Sequence, residues 1–579
     1  MIFRNRVNRM TALPDTAAGQ SKAETQLRSL LEKAETGWRP YAILIAFCAL
    51  IFLPGLVGLP PMDRDESRFA QATKQMLETG DYVVPYFQDE PRTKKPVFIY
   101  WVQAASVAVF SKAEANQIWP YRLPSVLGGM ASVILTFLIG ARLFDRRTGL
   151  LGGLLLGGAM LMVGQSHIAQ TDAVLLATIL AGMYGLTLAG LGPQKGEPSE
   201  MGFAPGLFFW GGLGLSILTK GPIGPAVVGF AAIAWGILRK DASWFRRLKP
   251  LWGIPLLILI VAPWPLALWH SGAFSFIANS AQEDLIPKLL GGQESHGAPP
   301  GTYLLELFFA FWPMSLIVIP GLVTAWHYRR EPAVQFLLCW WLPAWVMFEA
   351  VPTKLPHYVL PTYPALALMG AFFAANGLPP RLSRWGRALF GLHLVFWLVI
   401  GVALTGGALF ALEQYGPGID WRGIGLALIV IAGILPAAWF AFRRQLQPAV
   451  AILALMMVVF VPWLGTAVAP SLDKLWIARE VADTIPAHTE RPPLASVTFN
   501  EPSLIFMNGT DTKLMSGKTA ADYLADTPGA YALVTDREND SFLDRAAARS
   551  LHLEQVRQWE GFDYTNGDPL TLTLYKSAD

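Results

Sequence analysis

Long apolar runs broken by short charged loops organise the chain from Tyr41 to Ala469. A helix needs about 20 apolar residues to cross a bilayer core, and runs of that order recur about thirteen times. They begin with Tyr41–Leu59, Pro120–Leu143 and Gly149–Gly164 and end with Gly423–Phe442 and Val450–Ala469. Val97–Phe110 is apolar but shorter, and reads as re-entrant or interfacial. After Ser471 the pattern changes: short alternating runs (Leu494–Thr498, Ala530–Thr535, Leu570–Tyr575) predict strands, and Leu475–Thr484 and Ser541–Ser550 predict helices. The expected fold class is an all-α polytopic membrane bundle with a small C-terminal extracytoplasmic α/β domain. Its divisions are a cytoplasmic tail over 1–40, a transmembrane domain over 41–469 with its first outer loop at 60–119, and the α/β domain over 470–579.

Composition agrees with a membrane bundle. Of 579 residues, 53% are hydrophobic and 15% charged, with mean hydropathy +0.39. Soluble domains carry roughly 25% charged residues, so an ordinary cytosolic enzyme and a disordered chain are excluded. A net charge of +3 is too small to argue for nucleic acid. Cys48 and Cys339 both lie in apolar runs and read as small hydrophobes. The polar start is not a cleavable signal, and Glu24–Glu35 suits an amphipathic helix on the membrane surface. Orientation follows from the positive-inside rule. Alternate loops carry Arg142, Arg146 and Arg147; Lys195; Arg239 to Lys249; Arg329 and Arg330; Arg381 to Arg387; and Arg443 and Arg444. The N-terminus is therefore expected in the cytoplasm, and an odd number of spans puts the C-terminus outside. No inverted repeat is visible, which disfavours a secondary transporter.

The polar residues that break the apolar pattern collect in the opposite, outer loops. The first holds Asp63-Arg64-Asp65-Glu66-Ser67-Arg68 and Arg92-Thr93-Lys94-Lys95-Pro96. Later ones hold His167 and Asp172, then Lys220, then Glu283, Asp284, Lys288, Glu294 and His296, then Lys354 and His357. A charge at membrane depth costs about 2.5–3.5 kcal/mol on insertion scales unless it is paired or wet. Recurrent charges at span ends on one side thus predict a shared watery cavity. Lysines and arginines there suit a lipid phosphate, and a carboxylate beside them suits proton transfer from an attacking hydroxyl. No P-loop, dinucleotide fingerprint or zinc cluster is present.

These motifs resemble the GT-C integral-membrane glycosyltransferases, and within them the aminoarabinose-transferase-like members related to protein O-mannosyltransferases. The resemblance rests on Asp65-Glu66-Ser67-Arg68-Phe69-Ala70, Lys95-Pro96 with Tyr100-Trp101, and Arg142-Leu143-Phe144. Asp172, Thr219-Lys220-Gly221-Pro222 and Lys354-Leu355-Pro356-His357-Tyr358-Val359-Leu360-Pro361 complete it, in the family's order, from about Tyr41 to Ala375. The resemblance implies inverting transfer of a sugar from a polyprenyl (undecaprenyl) phosphate donor to a lipid A, glycan or other acceptor at the periplasmic side of the bacterial inner membrane. It maps the family's acidic residue onto Asp65, with Asp172 assisting. Glu66, Arg68, Lys94, Lys95, Lys220, Lys354 and His357 are the expected substrate-binding residues. In the aminoarabinose branch an acid usually precedes the lysine of the Lys-Pro pair, and Lys94 stands there instead. A galacturonic acid, a neutral hexose or a pentose is then as open as aminoarabinose.

Plainer readings stand beside these. Asp65 suits a helix N-cap, Glu66 a first-turn dipole partner, and Arg68 a partner for Asp65 one turn away. Lys220 and Lys354 suit snorkelling to the interface. A divalent metal held by histidines with Glu283, Asp284 or Glu294 is possible by composition, but not required by any recognised spacing. Glu283–Thr302 reads as a loop that closes over a bound lipid, or as an ordinary linker. Two other functions remain open: a protein O-mannosyltransferase-like enzyme and a lipid or solute transporter.

Overall fold

The computed structural model describes residues 35–112, 115–193, 202–280, 297–377, 384–486 and 492–578, together with 282 and 287. The expected surface helix at Glu24–Glu35, all but its last residue, lies outside these, as do Lys195, Arg381, Glu283, Asp284, Lys288, Glu294 and His296.

The chain folds as a helical membrane bundle carrying a small mixed sheet at one end. Among the described residues, eight helices are long and apolar enough to cross a membrane, or nine if one bent pair is a single span. That pair is the expected span Gly149–Gly164: helices Arg146–Gly157 and Met160–His167 meet at a 64° bend. The apolar run from Tyr303 to Trp326 is likewise divided, into helices Thr302–Ala310 and Ser315–His327. Arg39–Phe52, Phe98–Phe110 and Ile223–Arg239 are apolar but shorter than the long spans. Both cysteines are free and buried in the bundle core.

Small residues set the helix spacing where the site will form. A methyl group on Gly128, in helix Trp119–Leu143, would lie 2.8 Å from the backbone of Ala173. Only glycine lets this helix pass so close to the head of helix Asp172–Leu191, a small-residue contact of the kind that packs membrane helices. Gly212 makes the same approach to Gly182 and Thr178, bringing helix Ala204–Lys220 alongside.

The first long loop is built around helix Asp65–Thr79. Asp65 and Glu66 occupy its first turn, where the positive end of the helix dipole favours acids, and Gly80 ends it in the left-handed conformation at φ 73°. Phe69, Ala72 and Met76 form one apolar stripe, buried against Val97, Tyr100 and Trp264. Ala70 faces the other way, into a cluster with Tyr121, Ala169 and Phe506. A hairpin of β1 (Tyr86–Phe87) and β2 (Glu90–Pro91) leads from this helix to the lysines of the loop.

Beyond Ser471 the chain builds a five-stranded sheet. Its strands are β3 (Leu494–Val497), β4 (Lys513–Met515), β5 (Tyr531–Thr535), β6 (Leu553–Asp563) and β7 (Asp568–Ser577), in the order β4-β3-β5-β7-β6. The first three pair in parallel and β7 runs antiparallel to both neighbours. Helix Pro502–Asn508 docks this unit on the bundle: Phe506 meets Tyr121 edge-on at 5.3 Å. Around it, Gln71 bonds Thr510 at 2.8 Å and Gln88 bonds the carbonyls of Thr510 and Thr512.

Candidate active site

Helix ends and the loop carrying Lys94 and Lys95 line a cavity of about 410 Å³. Its walls are mostly apolar, with Leu175, Leu218, Trp264, Phe276 and Phe348 among them. Its charged lining consists of Lys94, Lys95, Lys220 and Asp172, with His357 beside them. Five of the residues singled out in the sequence therefore meet in one place, although they span positions 94 to 357.

Asp172 is nearly buried at the start of its helix, and Lys220 closes on it at 2.7 Å from the end of the neighbouring helix. Thr171 donates a hydrogen bond to the second carboxylate oxygen at 3.1 Å, and His357 Nε2 stands 4.0 Å from it. The ammonium of Lys220 also lies 5.3 Å from the centre of the Tyr358 ring. Lys95 donates to the carbonyl of Lys94 at 2.9 Å.

Asp65 sits at the rim, in a recess that leaves 52% of its side chain open to water. Protein on the remaining sides pushes its carboxyl up by desolvation. The positive charges of Arg92, Lys95, His357 and Arg68 outweigh this and hold it below the usual carboxylate range. Arg92 is the partner that sequence reading left without a role. Its guanidinium stacks 4.6 Å over Phe69, its Nε donates to the Tyr100 hydroxyl at 3.1 Å, and one Nη lies 3.8 Å from Asp65. Asp65 is the first residue of its helix, so the N-cap reading is replaced: Arg64 holds that position and no side chain caps.

Two expected ligands stand elsewhere. Glu66 is 1% exposed and paired with Arg122, itself 0% exposed, and not turned to the cavity. Lys354 donates to the carbonyls of Glu349 and Val351, each at 2.8 Å, with the Glu349 carboxylate at 3.7 Å. It thus neutralises the carbonyl end of helix Pro332–Ala350 and does not line the cavity. His167 bonds the carbonyls of Val163 and Pro54 inside the bundle. Among the described residues, no group of three His, Cys, Asp or Glu side chains is placed to hold a metal ion. A sequence signal for Arg122 existed: it is a charge in the first turn of the apolar run Pro120–Leu143, where an unpaired charge is costly.

The chain is similar to several known proteins. A family model described as dolichyl-phosphate-mannose-protein mannosyltransferase matches residues 94–269. The undecaprenyl phosphate-alpha-4-amino-4-deoxy-L-arabinose arabinosyl transferase of Pectobacterium carotovorum is 27% identical over 429 residues, covering 71% of this chain and 72% of its own. The enzyme of the same name from Pseudomonas paraeruginosa is 31% identical over 337 residues, and the match spans 56% of this chain and 58% of that one. The crystal structure of ArnT from Cupriavidus metallidurans bound to undecaprenyl phosphate superposes with a TM-score of 0.68 at 20% identity, over 93% of this chain and 98% of the other. This multi-pass membrane protein thus shares the fold of that structure over nearly its whole length, and its sequence is similar to undecaprenyl-phosphate aminoarabinose transferases.

Proposed function

We propose that the chain transfers a sugar from a polyprenyl phosphate, undecaprenyl phosphate in the relatives' case, to lipid A, with inversion at the anomeric carbon. The observation that carries this reading is the cavity itself: apolar walls that suit an isoprenoid, with Lys94, Lys95 and Lys220 in its lining. The donor is a phosphodiester with one negative charge, whereas the released monoester carries about −1.5 to −2 at neutral pH. Negative charge on the phosphate therefore grows as the sugar–oxygen bond breaks, and fixed ammonium groups stabilise the transition state more than the ground state. The lysines are positioned for that part of the work.

In the displacement an acceptor oxygen attacks the anomeric carbon from the face opposite the phosphate. The carbon–oxygen bond to phosphate breaks, its electron pair leaves with the phosphate, and the acceptor's proton passes to Asp65 or to water. Because the surrounding charges keep Asp65 ionised, it is ready to accept a hydrogen bond from the acceptor and to offset positive charge developing on the sugar ring. A carboxylate held this low is a weak base, so orientation and electrostatics are its main contributions. Asp172, locked to Lys220, fixes that lysine's direction and tempers its charge.

The site faces the periplasm in this reading, with the N-terminus in the cytoplasm and the bilayer being the bacterial inner membrane. The basic loops support it: Arg142 and Arg146, with Arg246 and Arg247, follow alternate spans. The test is a product assay. Purified protein given an undecaprenyl-phosphate-linked sugar and lipid A should yield free undecaprenyl phosphate and glycosylated lipid A in equal amounts. Sugar appearing on exported protein would instead make the acceptor a polypeptide, and no released undecaprenyl phosphate would leave only a binding or transport role.

A further inference from the structure

The residue before Asp65 is held in an unfavourable backbone conformation. Arg64 has φ 62° and ψ −109°, outside the small left-handed basin that side-chain-bearing residues tolerate. Such a conformation persists only where neighbours over-determine it. Those neighbours lie some five hundred residues away, in the turn between β6 and β7. The Tyr564 hydroxyl accepts from the backbone N–H of Asp63 at 2.7 Å, and the Thr565 carbonyl accepts from the Arg64 guanidinium at 2.6 Å. The N–H of Ser503 adds a bond of 3.1 Å to the Asp63 carboxylate.

The turn is itself stiff. Asp563 accepts bonds from Thr565 and Asn566, Thr565 donates to Glu501 at 2.6 Å, and Tyr564 stacks edge-on against Trp476. Docking of the sheet unit does not need this contact, because Phe506, Thr510 and Thr512 already secure it to the bundle. The turn's bonds fall instead on the two residues that precede the rim carboxylate.

We infer that the β6–β7 turn is a latch in which Tyr564 and Thr565 act as positioning residues for Asp65, holding Asp63 and Arg64 in the strained geometry that starts helix Asp65–Thr79 where it does. The inference rests on the role of Asp65 given under the proposed function. It assigns the sheet unit a part in the reaction: the unit sets the carboxylate's place without touching substrate.

The test uses Tyr564→Phe, which keeps the ring and removes the accepting oxygen, alone and together with Arg64→Gly. Loss of one hydrogen bond of this kind corresponds to about tenfold. Tyr564→Phe is expected to lower kcat about that much with the donor KM little changed. Adding Arg64→Gly restores most of kcat, because glycine adopts this φ and ψ without a latch. A purely structural role for Tyr564 gives no such rescue. A Tyr564→Phe protein with wild-type kcat, or one that Arg64→Gly fails to rescue, overturns the latch. Should the wild type not use the donor at all, the functional reading fails and amide hydrogen exchange decides the latch separately. Faster exchange at Ser67 and Arg68 in Tyr564→Phe, with helix Pro502–Asn508 unchanged, upholds it, and unchanged exchange at both overturns it.

Discussion

Arg122 grips Glu66 through two bonds of 2.8 and 2.9 Å in the interior of the bundle. The remaining guanidinium hydrogens go to the carbonyls of Leu56, Leu59 and Pro60, and Glu66 also accepts from the backbone N–H groups of Met62 and Ala169. One ion pair thus ties together the end of the first helix, the loop before Asp65 and the segment leading to Asp172. Removing one partner of a buried pair leaves an uncompensated charge, at a cost of about 3–5 kcal/mol. Arg122→Ala and Glu66→Gln should each lower the unfolding midpoint in detergent sharply, the first by stranding the carboxylate, the second by stranding the guanidinium and setting an amide NH2 against N–H donors. A midpoint unmoved in Arg122→Ala would show that the pair does not hold the loop.

The Lys220–Asp172 pair separates stability from donor binding. Lys220→Met strands the Asp172 carboxylate and should both destabilise the protein and weaken the donor. A charge-assisted bond of about 1.5–3 kcal/mol corresponds to a rise in donor KM of at least about tenfold. Adding Asp172→Leu should recover much of the stability, because a neutral pair replaces a stranded charge. It should not recover donor affinity. Recovery of both would make the pair structural only.

Arg92 sets the ionisation of Asp65. Desolvation raises that carboxyl, and the Arg92 charge is the largest of the influences opposing it. Removing the charge in Arg92→Gln therefore moves the acid limb of the pH–rate profile to higher pH. Tyr100→Phe, which only frees the guanidinium, should move it less. An acid limb unchanged in Arg92→Gln would mean that Asp65 is not the group titrating there.

Asp63 makes stability depend on pH in the opposite sense to a paired carboxylate. Desolvation and the neighbouring Glu501 push it from 3.8 up to about 7, against hydrogen bonds from Ser503 and Tyr564. A raised value means that the folded state holds the proton more tightly than the unfolded chain. Its contribution is fully present below about pH 4 and is lost as pH rises through about 7. Glu501 is shifted upward as well, chiefly by desolvation, so it adds to the same trend. Thermal unfolding at pH 5.5 and pH 8 should show the difference, and Asp63→Asn should reduce it.

Much of this was legible in the sequence for definite reasons. Apolar runs and their basic flanks report lipid, so the bundle and its end domain could be read. Asp172, Lys220 and His357 stood out because charges at span ends are expensive unless used. Strands β3 and β5 and the middle of β7 are largely apolar and buried, whereas β6 is mostly polar with no alternation in its first half and β4 has three residues, so neither stood out. The bend in Arg146–His167 left no mark because both halves are apolar. Lys354 looked equivalent to Lys220 in sequence, each before a proline-containing turn, yet one meets a carboxylate across the cavity and the other caps its own helix. The Tyr564 contact could not be read at all, since nothing local couples position 564 to position 63.

The most direct test of the whole account compares wild type with Asp65→Asn for donor binding and for release of undecaprenyl phosphate from the same undecaprenyl-phosphate-linked sugar. Equal binding with release reduced by several orders of magnitude is the predicted result, because the cavity that holds the lipid phosphate is intact while the rim carboxylate is gone. Release by Asp65→Asn at the wild-type rate would contradict it.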